Sequence, residues 1–229
     1  MTAAAAALDE LERDALTELV NIGVSNAASS LRKMVGAHVL LSVPAVEVLD
    51  RRAAASLISE READLLVAVK QDFSGPITGH AMLIFPQGNS LDLVRAVAGE
   101  ALSKAEAIEL EPEALAETGN VILNGCLGTI ANMLHRTILL SVPVVLRGDG
   151  AELFQVAAAG DGESVVLFLY INFIIKHRNI RGYIAMLLDL PSMAALKLLI
   201  AEFIDNVMSD ADPAGGGGTA MRESEPFVI

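Results

Sequence analysis

The chain has 229 residues, 53% of them hydrophobic and only 4% aromatic, and its formal net charge is −13. Proteins that bind nucleic acids normally carry clustered lysine and arginine, so an acidic chain without a basic run argues against such a partner. No apolar run reaches the roughly 20 residues of a membrane-spanning helix, and the N-terminus lacks the basic segment of a secretory signal. The sequence therefore predicts a cytoplasmic protein that binds neither nucleic acid nor membrane.

The residue types that usually carry metal or nucleophilic chemistry are sparse. Cys126 is the only cysteine, so no disulfide can form within the chain, and its apolar surroundings predict a buried thiol. A G-x-S-x-G motif and a phosphate-binding glycine loop are both absent. The histidines are scattered, without metal-ligand spacing, at His38, His80, His135 and His177. We therefore expect no metal or cofactor bound by this chain itself.

The first predicted element is an amphipathic helix over about residues 9–34. A polar stripe runs along one face, where Asp14, Glu18 and Asn21 lie at positions i, i+4 and i+7. A solvated helix face is the simplest interpretation of one such stripe. The apolar stripe of the same helix consists of Leu16, Val20, Val24, Ala27, Leu31 and Met34.

The next predicted elements are a strand in LLSVPAV (40–46), a linker (50–63) and two strands (65–73 and 77–85). A closing helix follows near 91–101, and Asn89 or Ser90 is the expected N-cap. A second helix is expected over 112–135, with Pro112 in its opening turn. Its apolar stripe consists of Leu115, Ile122, Cys126, Ile130 and Met133.

The remaining elements repeat the same order. They are a strand in LLSVPVV (139–145), a linker (148–163), strands 164–175 and 181–189, and a helix near 193–207 capped by Ser192. The two LLSVP segments are separated by 99 residues, and this register aligns about thirty preceding residues without a gap. Matching polar and apolar positions over that length indicate an internal duplication.

The predicted fold class is α+β. Two αβββα units would form one pseudo-twofold domain, with a six-stranded, mainly antiparallel sheet flanked by helices. We expect this single domain over residues 1–208, built from repeats at about 9–105 and 108–208, and a Gly-rich flexible tail over 209–229. Because the internal pseudo-twofold replaces a homodimer of half-length chains, a monomer is expected.

The polar stripe of the first helix recurs in the second as Glu113, Glu117 and Asn120. Asparagine is mildly unfavourable inside helices, so its recurrence at matched positions indicates a functional site. A carboxamide can hold a water molecule in line with an electrophile, and a carboxylate beside it could pair with a cation of a partner. The stripes therefore predict a protein that completes the active site of another protein.

The pattern D/E-x3-E-x2-N-x22-P resembles the signature of the CheC/CheX/FliY family of chemotaxis phosphatases. The resemblance covers roughly residues 9–208, and two complete motifs resemble CheC most, since CheX carries a single site and FliY adds a C-terminal domain. The motif residues are Asp14, Glu18, Asn21 and Pro44, and again Glu113, Glu117, Asn120 and Pro143.

The resemblance implies hydrolysis of the phospho-aspartate on the response regulator CheY. In that case Asn21 and Asn120 would orient the attacking water, and Glu18 and Glu117 would pair with the active-site lysine of the regulator. The Mg²⁺ ion would belong to the regulator. The receptor deamidase CheD is a second partner that the resemblance implies, although no motif in the chain marks it.

The supporting motif positions have less specific roles. Asp14 and Glu113 would serve either as docking or helix-surface contacts or directly in the chemistry, and Pro44 and Pro143 would shape the strand beside each helix. Two alternatives to the enzyme stay open at this point. One is a CheC-like scaffold that binds phosphorylated CheY or CheD without turnover, and the other is a structural subunit of a flagellar or archaellar motor.

Overall fold

The computed structural model of the chain describes residues 8–36, 38–43, 46–99, 101–156, 164–175 and 178–211. These residues form six helices and eight strands. In chain order they are α1 (Glu10–Val35), β1 (Val39–Ser42), β2 (Val46–Asp50), α2 (Arg51–Arg61), β3 (Leu66–Ser74), β4 (Gly79–Pro86), α3 (Gln87–Ala98), α4 (Lys104–Met133), β5 (Leu139–Leu140), β6 (Val144–Gly148), α5 (Gly150–Leu153), β7 (Ser164–Ile175), β8 (Arg178–Asp189) and α6 (Leu190–Ala211).

All eight strands belong to one sheet, and every pair is antiparallel. Its order is β1-β7-β8-β4-β3-β5, with β2 also paired to β7 and β6 also paired to β3. The α+β class is thus confirmed. The expected six strands are wrong, because each LLSVP segment contributes two short strands. Pro143 lies in the break between β5 and β6, where its missing N–H removes no ladder hydrogen bond.

The sheet separates two layers of helices. Helices α1, α3, α4 and α6 pack on one face and α2 and α5 on the other. Alternate residues of β3 follow this division, since Val67 and Val69 join the first core and Leu66 and Ala68 join the second. The two predicted linkers are therefore wrong in part. Each contains a helix, α2 or α5, whose first turn is capped by the side chain of Asp50 or Asp149.

Helix α4 begins eight residues before its predicted opening residue, Pro112. Ser103 caps it in a capping box with Glu106, so Pro112 lies inside the helix. The helical turn that contains Pro112 is anchored by the residue before it, Glu111. Its buried carboxylate accepts hydrogen bonds from Ser90 Oγ and the Arg147 guanidinium. This anchor ties α4 to α3 and to β6, which compensates for the main-chain hydrogen bond that the proline removes.

The predicted caps of the two closing helices are wrong. Helix α3 begins after Pro86 without a side-chain cap; Ser90 instead binds Glu111, and Asn89 donates to the carbonyl of Arg181. In α6 the cap is Asp189, which accepts a hydrogen bond from the backbone N–H of Ser192 at 2.7 Å. Neither correction was visible in the sequence, because several side chains near each helix start can accept from the first turn.

The predicted apolar stripes of α1 and α4 are confirmed as the centre of the larger core, with Met34 and Met133 at its margin. Cys126 belongs to this core, and burial raises the pKa of its thiol to about 12. Among the described residues, none of the helices combines the length and apolar character needed to cross a lipid bilayer. The predicted tail continues α6 as far as Ala211; its remainder, like Pro44, lies outside the described residues.

Helices α1 and α4 approach each other to within backbone contact. A Cβ atom added to Gly23 would lie 2.8 Å from the carbonyl oxygen of Cys126. One added to Gly125 would lie 2.9 Å from the Cα of Ala27. Glycine is unfavourable inside a helix, but Gly23 and Gly125 permit this crossing, which holds the two motif helices side by side.

Candidate functional site

The two polar stripes have the same pattern of exposure. On α1 the carboxylates of Asp14 and Glu18 are exposed and Asn21 is half-buried. On α4 Glu113 and Glu117 are exposed and Asn120 is half-buried. Within the part of the chain that the structure describes, neither Glu18 nor Glu117 forms a salt bridge, and both side chains are exposed. The six predicted residues thus form two separate groups of three, one on each motif helix.

The second stripe lies against strand β3 because α4 has a glycine at the contact. A Cβ atom added to Gly119 would lie 2.6 Å from the Cβ of Val69. Any larger residue would push the helix away from the strand. This close approach brings the next residue of α4, Asn120, within reach of Gln71, which lies two residues beyond Val69 on the same face of β3.

Asn120 takes part in a chain of hydrogen bonds that ends on the main chain. Its Oδ1 accepts from Gln71 Nε2 at 3.2 Å and from Asn124 Nδ2 at 2.8 Å. Gln71 Nε2 also donates to the carbonyl oxygen of Ser141 at 2.8 Å. Since Gln71 is only 1% exposed, this network fixes the Asn120 amide from the inside.

Ser141 belongs to the second LLSVP segment, and its hydrogen bonds to strand β3 place this segment next to the second motif. Its backbone N–H donates to the carbonyl of Asp72 at 2.9 Å, and its hydroxyl accepts from the backbone N–H of Asp72 at 2.9 Å. Pro143 follows directly and is half-buried. The structure therefore places Pro143 beside the strand that supports Asn120, while the corresponding Pro44 lies outside the described residues.

Sequence reasoning missed Gln71. A signal was present in LVAVKQDFS (66–74), where Val67, Val69 and Phe73 are the inward residues of a strand and Gln71 shares their face. A buried polar side chain in such a position requires hydrogen-bond partners. Only the fold shows that one of these partners is a residue of the motif.

A second polar group lies away from both stripes. His80 Nδ1 lies 2.6 Å from Asp72 Oδ1, and Lys70 Nζ lies 3.4 Å from the same oxygen. Burial raises the pKa of Asp72, but the hydrogen bond from His80 and the charge of Lys70 outweigh it and hold the pKa below its ordinary value. A cavity of about 350 Å³ adjoins these residues, and no motif residue lines it.

Within the described ranges, no group of three or more His, Cys, Asp or Glu side chains is arranged to hold a metal ion. The two stripes themselves present exposed carboxylates and half-buried carboxamides on helices α1 and α4.

Comparison with known proteins gives the class to which this arrangement corresponds. Residues 11–48, which contain the first motif, match the model of the CheC-like family. A protein of Halobacterium salinarum named as the CheY-P phosphatase CheC1 is 24% identical over 144 residues, covering 60% of this chain and 70% of CheC1. The resemblance to the CheC/CheX/FliY family that the motif predicts is thereby confirmed.

Two further comparisons are with proteins named FliY. The flagellar motor switch phosphatase FliY of Bacillus subtilis is 24% identical over 140 residues, covering 60% of this chain and 36% of FliY. The crystal structure of FliY from Thermotoga maritima superposes with a TM-score of 0.66 at 17% identity, covering 86% of this chain and 98% of that one. At this identity the superposition shows a shared fold.

Proposed function

We propose that this protein is a CheC-like phosphatase that hydrolyses the phospho-aspartate of a CheY-type response regulator. One matched relative is named as a CheY-P phosphatase and another as a flagellar motor switch phosphatase, and the chain carries the complete motif of that family on two exposed helix faces. The observation that carries the proposal is the exposure of Glu18 and Glu117, each one turn from a half-buried asparagine.

The proposed reaction is attack of a water oxygen on the phosphorus of the aspartyl phosphate. The bond between phosphorus and the aspartate oxygen breaks, so that inorganic phosphate, the free carboxylate of the regulator and a proton are released. Asn21 or Asn120 holds the water through its amide, and the regulator supplies the Mg²⁺ that neutralises the phosphoryl oxygens. This chain therefore contributes positioning, while the partner contributes the electrophile and the metal.

The exposed glutamates provide docking. In this proposal Glu18 and Glu117 each pair with the lysine of the regulator, and the charge of the carboxylate selects a cationic surface. Asp14 and Glu113, one turn earlier on each helix, extend the same acidic face. CheD is a second partner in the proposal, and its binding is tested by the titration described below for the regulator.

The proposal is tested by following the decay of the phosphorylated CheY-type regulator of the same organism in Mg²⁺, with and without this protein. The phosphodonor is removed first, so that only dephosphorylation is observed. Faster decay at substoichiometric protein supports an enzyme. Binding without faster decay would instead support the scaffold, and the phosphatase proposal would be rejected.

Reversing the charge of both glutamates is expected to weaken binding to the phosphorylated regulator. We expect Glu18→Lys with Glu117→Lys to lower the affinity at least about tenfold, which corresponds to about 1.4 kcal/mol. Titration of the beryllofluoride-activated regulator measures this affinity. A matched control is Glu60→Lys with Asp64→Lys, which makes the same change in net charge near α2 on the opposite face of the sheet. Equal losses in the two variants would remove the docking role.

A further inference from the structure

We infer that Gln71 is a positioning residue of the second site, the stripe of Glu113, Glu117 and Asn120 on α4. Gln71 fixes the side chain of Asn120 so that the Asn120 carbonyl oxygen faces inward and the Asn120 amide N–H groups face outward. The inference rests on the proposed function for its kinetic consequence, whereas its structural part stands independently. It concerns one site, since the described residues give the first motif helix no such support.

The orientation of Asn120 follows from a fixed point on the main chain. The carbonyl oxygen of Ser141 can only accept, so the group of Gln71 that lies 2.8 Å away must be its Nε2. That same Nε2 lies 3.2 Å from the Asn120 amide and must meet an acceptor there. Asn120 therefore turns its Oδ1 toward Gln71, because the reverse orientation would place two amide nitrogens against each other.

The remaining capacity of the Asn120 amide is then determined. An amide oxygen has two lone pairs, and Asn120 Oδ1 already accepts from both Gln71 and Asn124. The free polar group is Nδ2, which can donate to one lone pair of a water molecule and leave the other for attack. Gln71 thus makes the second site present a hydrogen-bond donor. The Asn120 side chain is already ordered before the regulator binds, so binding does not incur that loss of conformational entropy.

Among the residues that the structure describes, the first site shows no equivalent of this arrangement. Leu41 and Leu140, which are 99 residues apart, lie opposite Phe173 and Phe73 in the sheet. Ile171, two residues before Phe173, therefore occupies the position that corresponds to Gln71, and an isoleucine cannot donate a hydrogen bond. The residue that corresponds to Gly119 is the buried Val20. Within the described residues, the side chain of Asn21 makes no hydrogen bond, so no described partner there holds either half of its amide.

Kinetics in a single-site background test the role in catalysis. The Asn21→Ala variant retains only the second site, and Gln71→Met in this background removes the donor while conserving length and apolar packing. We expect kcat to fall about fivefold or more and KM to change less than twofold, because the amide is still present but is no longer held in place. Ile171→Met in the same background is the matched control and should leave both constants unchanged.

An outcome in which kcat of the Gln71→Met variant equals that of the parent would overturn the positioning role. An increase in KM with constant kcat would also overturn it, since that result indicates a contact with the regulator. Thermal unfolding midpoints of both methionine variants identify any loss of activity that comes from unfolding.

Side-chain amide relaxation by ¹⁵N NMR tests the structural part on the unmodified protein, without any activity assay. The order parameter of the Asn120 NH2 group is expected to exceed that of Asn21 and to fall in Gln71→Met. Equal mobility of Asn120 and Asn21 in the unmodified protein would overturn the inference even if the phosphatase is active. Conversely, an inactive protein with a rigid Asn120 would reject the proposed function and retain the fixed amide.

Discussion

Replacing both Asn21 and Asn120 by alanine is expected to abolish the acceleration of regulator dephosphorylation, whereas each single replacement leaves activity. The loss in the double variant should be about 100-fold or more, since misplacing a reacting group by about 1 Å can cost that much. Each helix carries its own motif, so one intact asparagine is sufficient for turnover. The measurement is the decay rate of phosphorylated regulator at equal concentrations of each variant.

The fold should survive both replacements. Alanine has a higher helix propensity than asparagine, and Asn21 and Asn120 are only half-buried. Asn132→Ala with Asn206→Ala is a matched control, because both of these residues are exposed asparagines on helices outside the two stripes. Full activity of the Asn21/Asn120 double variant, with the circular dichroism of the parent, would eliminate the water-positioning role.

Two glycines of α4, three residues apart, are expected to respond to alanine in opposite directions. Gly125→Ala places a methyl group 2.9 Å from the Cα of Ala27 on the neighbouring helix, and backbone cannot move aside as a flexible side chain can. We expect a loss of about 2 kcal/mol in the free energy of unfolding. At Gly128 nothing lies within 4 Å of the added methyl group, so the higher helix propensity of alanine should stabilise the protein by about 1 kcal/mol.

Denaturant titrations of the two variants give this difference of about 3 kcal/mol directly. The comparison controls for helix propensity, since both substitutions are the same and lie on the same helix. If Gly125→Ala stabilises the protein as much as Gly128→Ala, then α1 and α4 do not cross at the distance described. The assignment of Gly23 and Gly125 to a close helix contact would then be wrong.

The motif and the main elements were predictable because they depend on local spacing. The apolar stripes of α1 and α4 and the strands near 65–73 and 164–175 follow from periodicity, which is a property of each segment by itself. The elements that were mispredicted have short or competing signals. Helix α5 has four residues, and each LLSVP segment divides into two strands whose pairing is made with the other half of the chain.

The candidate site shows the same division. The repeated spacing of Glu18 and Asn21 in Glu117 and Asn120 was visible in the sequence, because residues three apart share a helix face. The support beneath Asn120 was not visible, since Gln71 is 49 residues away from it along the chain. A glutamine in a strand has no local signature that distinguishes a buried donor from a surface residue.

By itself, the sequence determined the α+β class, the two motif helices with their polar stripes and the resemblance to a family of chemotaxis phosphatases. These features are encoded in residue type and spacing over one or two elements. Only the tertiary structure decided that the two stripes differ in their surroundings, with an amide network under Asn120 and an isoleucine at the corresponding place in the other half. The reason is physical: a hydrogen bond between distant residues depends on strand register and on how closely a helix approaches the sheet. Both are set by the packing of the whole chain, including single glycines at the contacts.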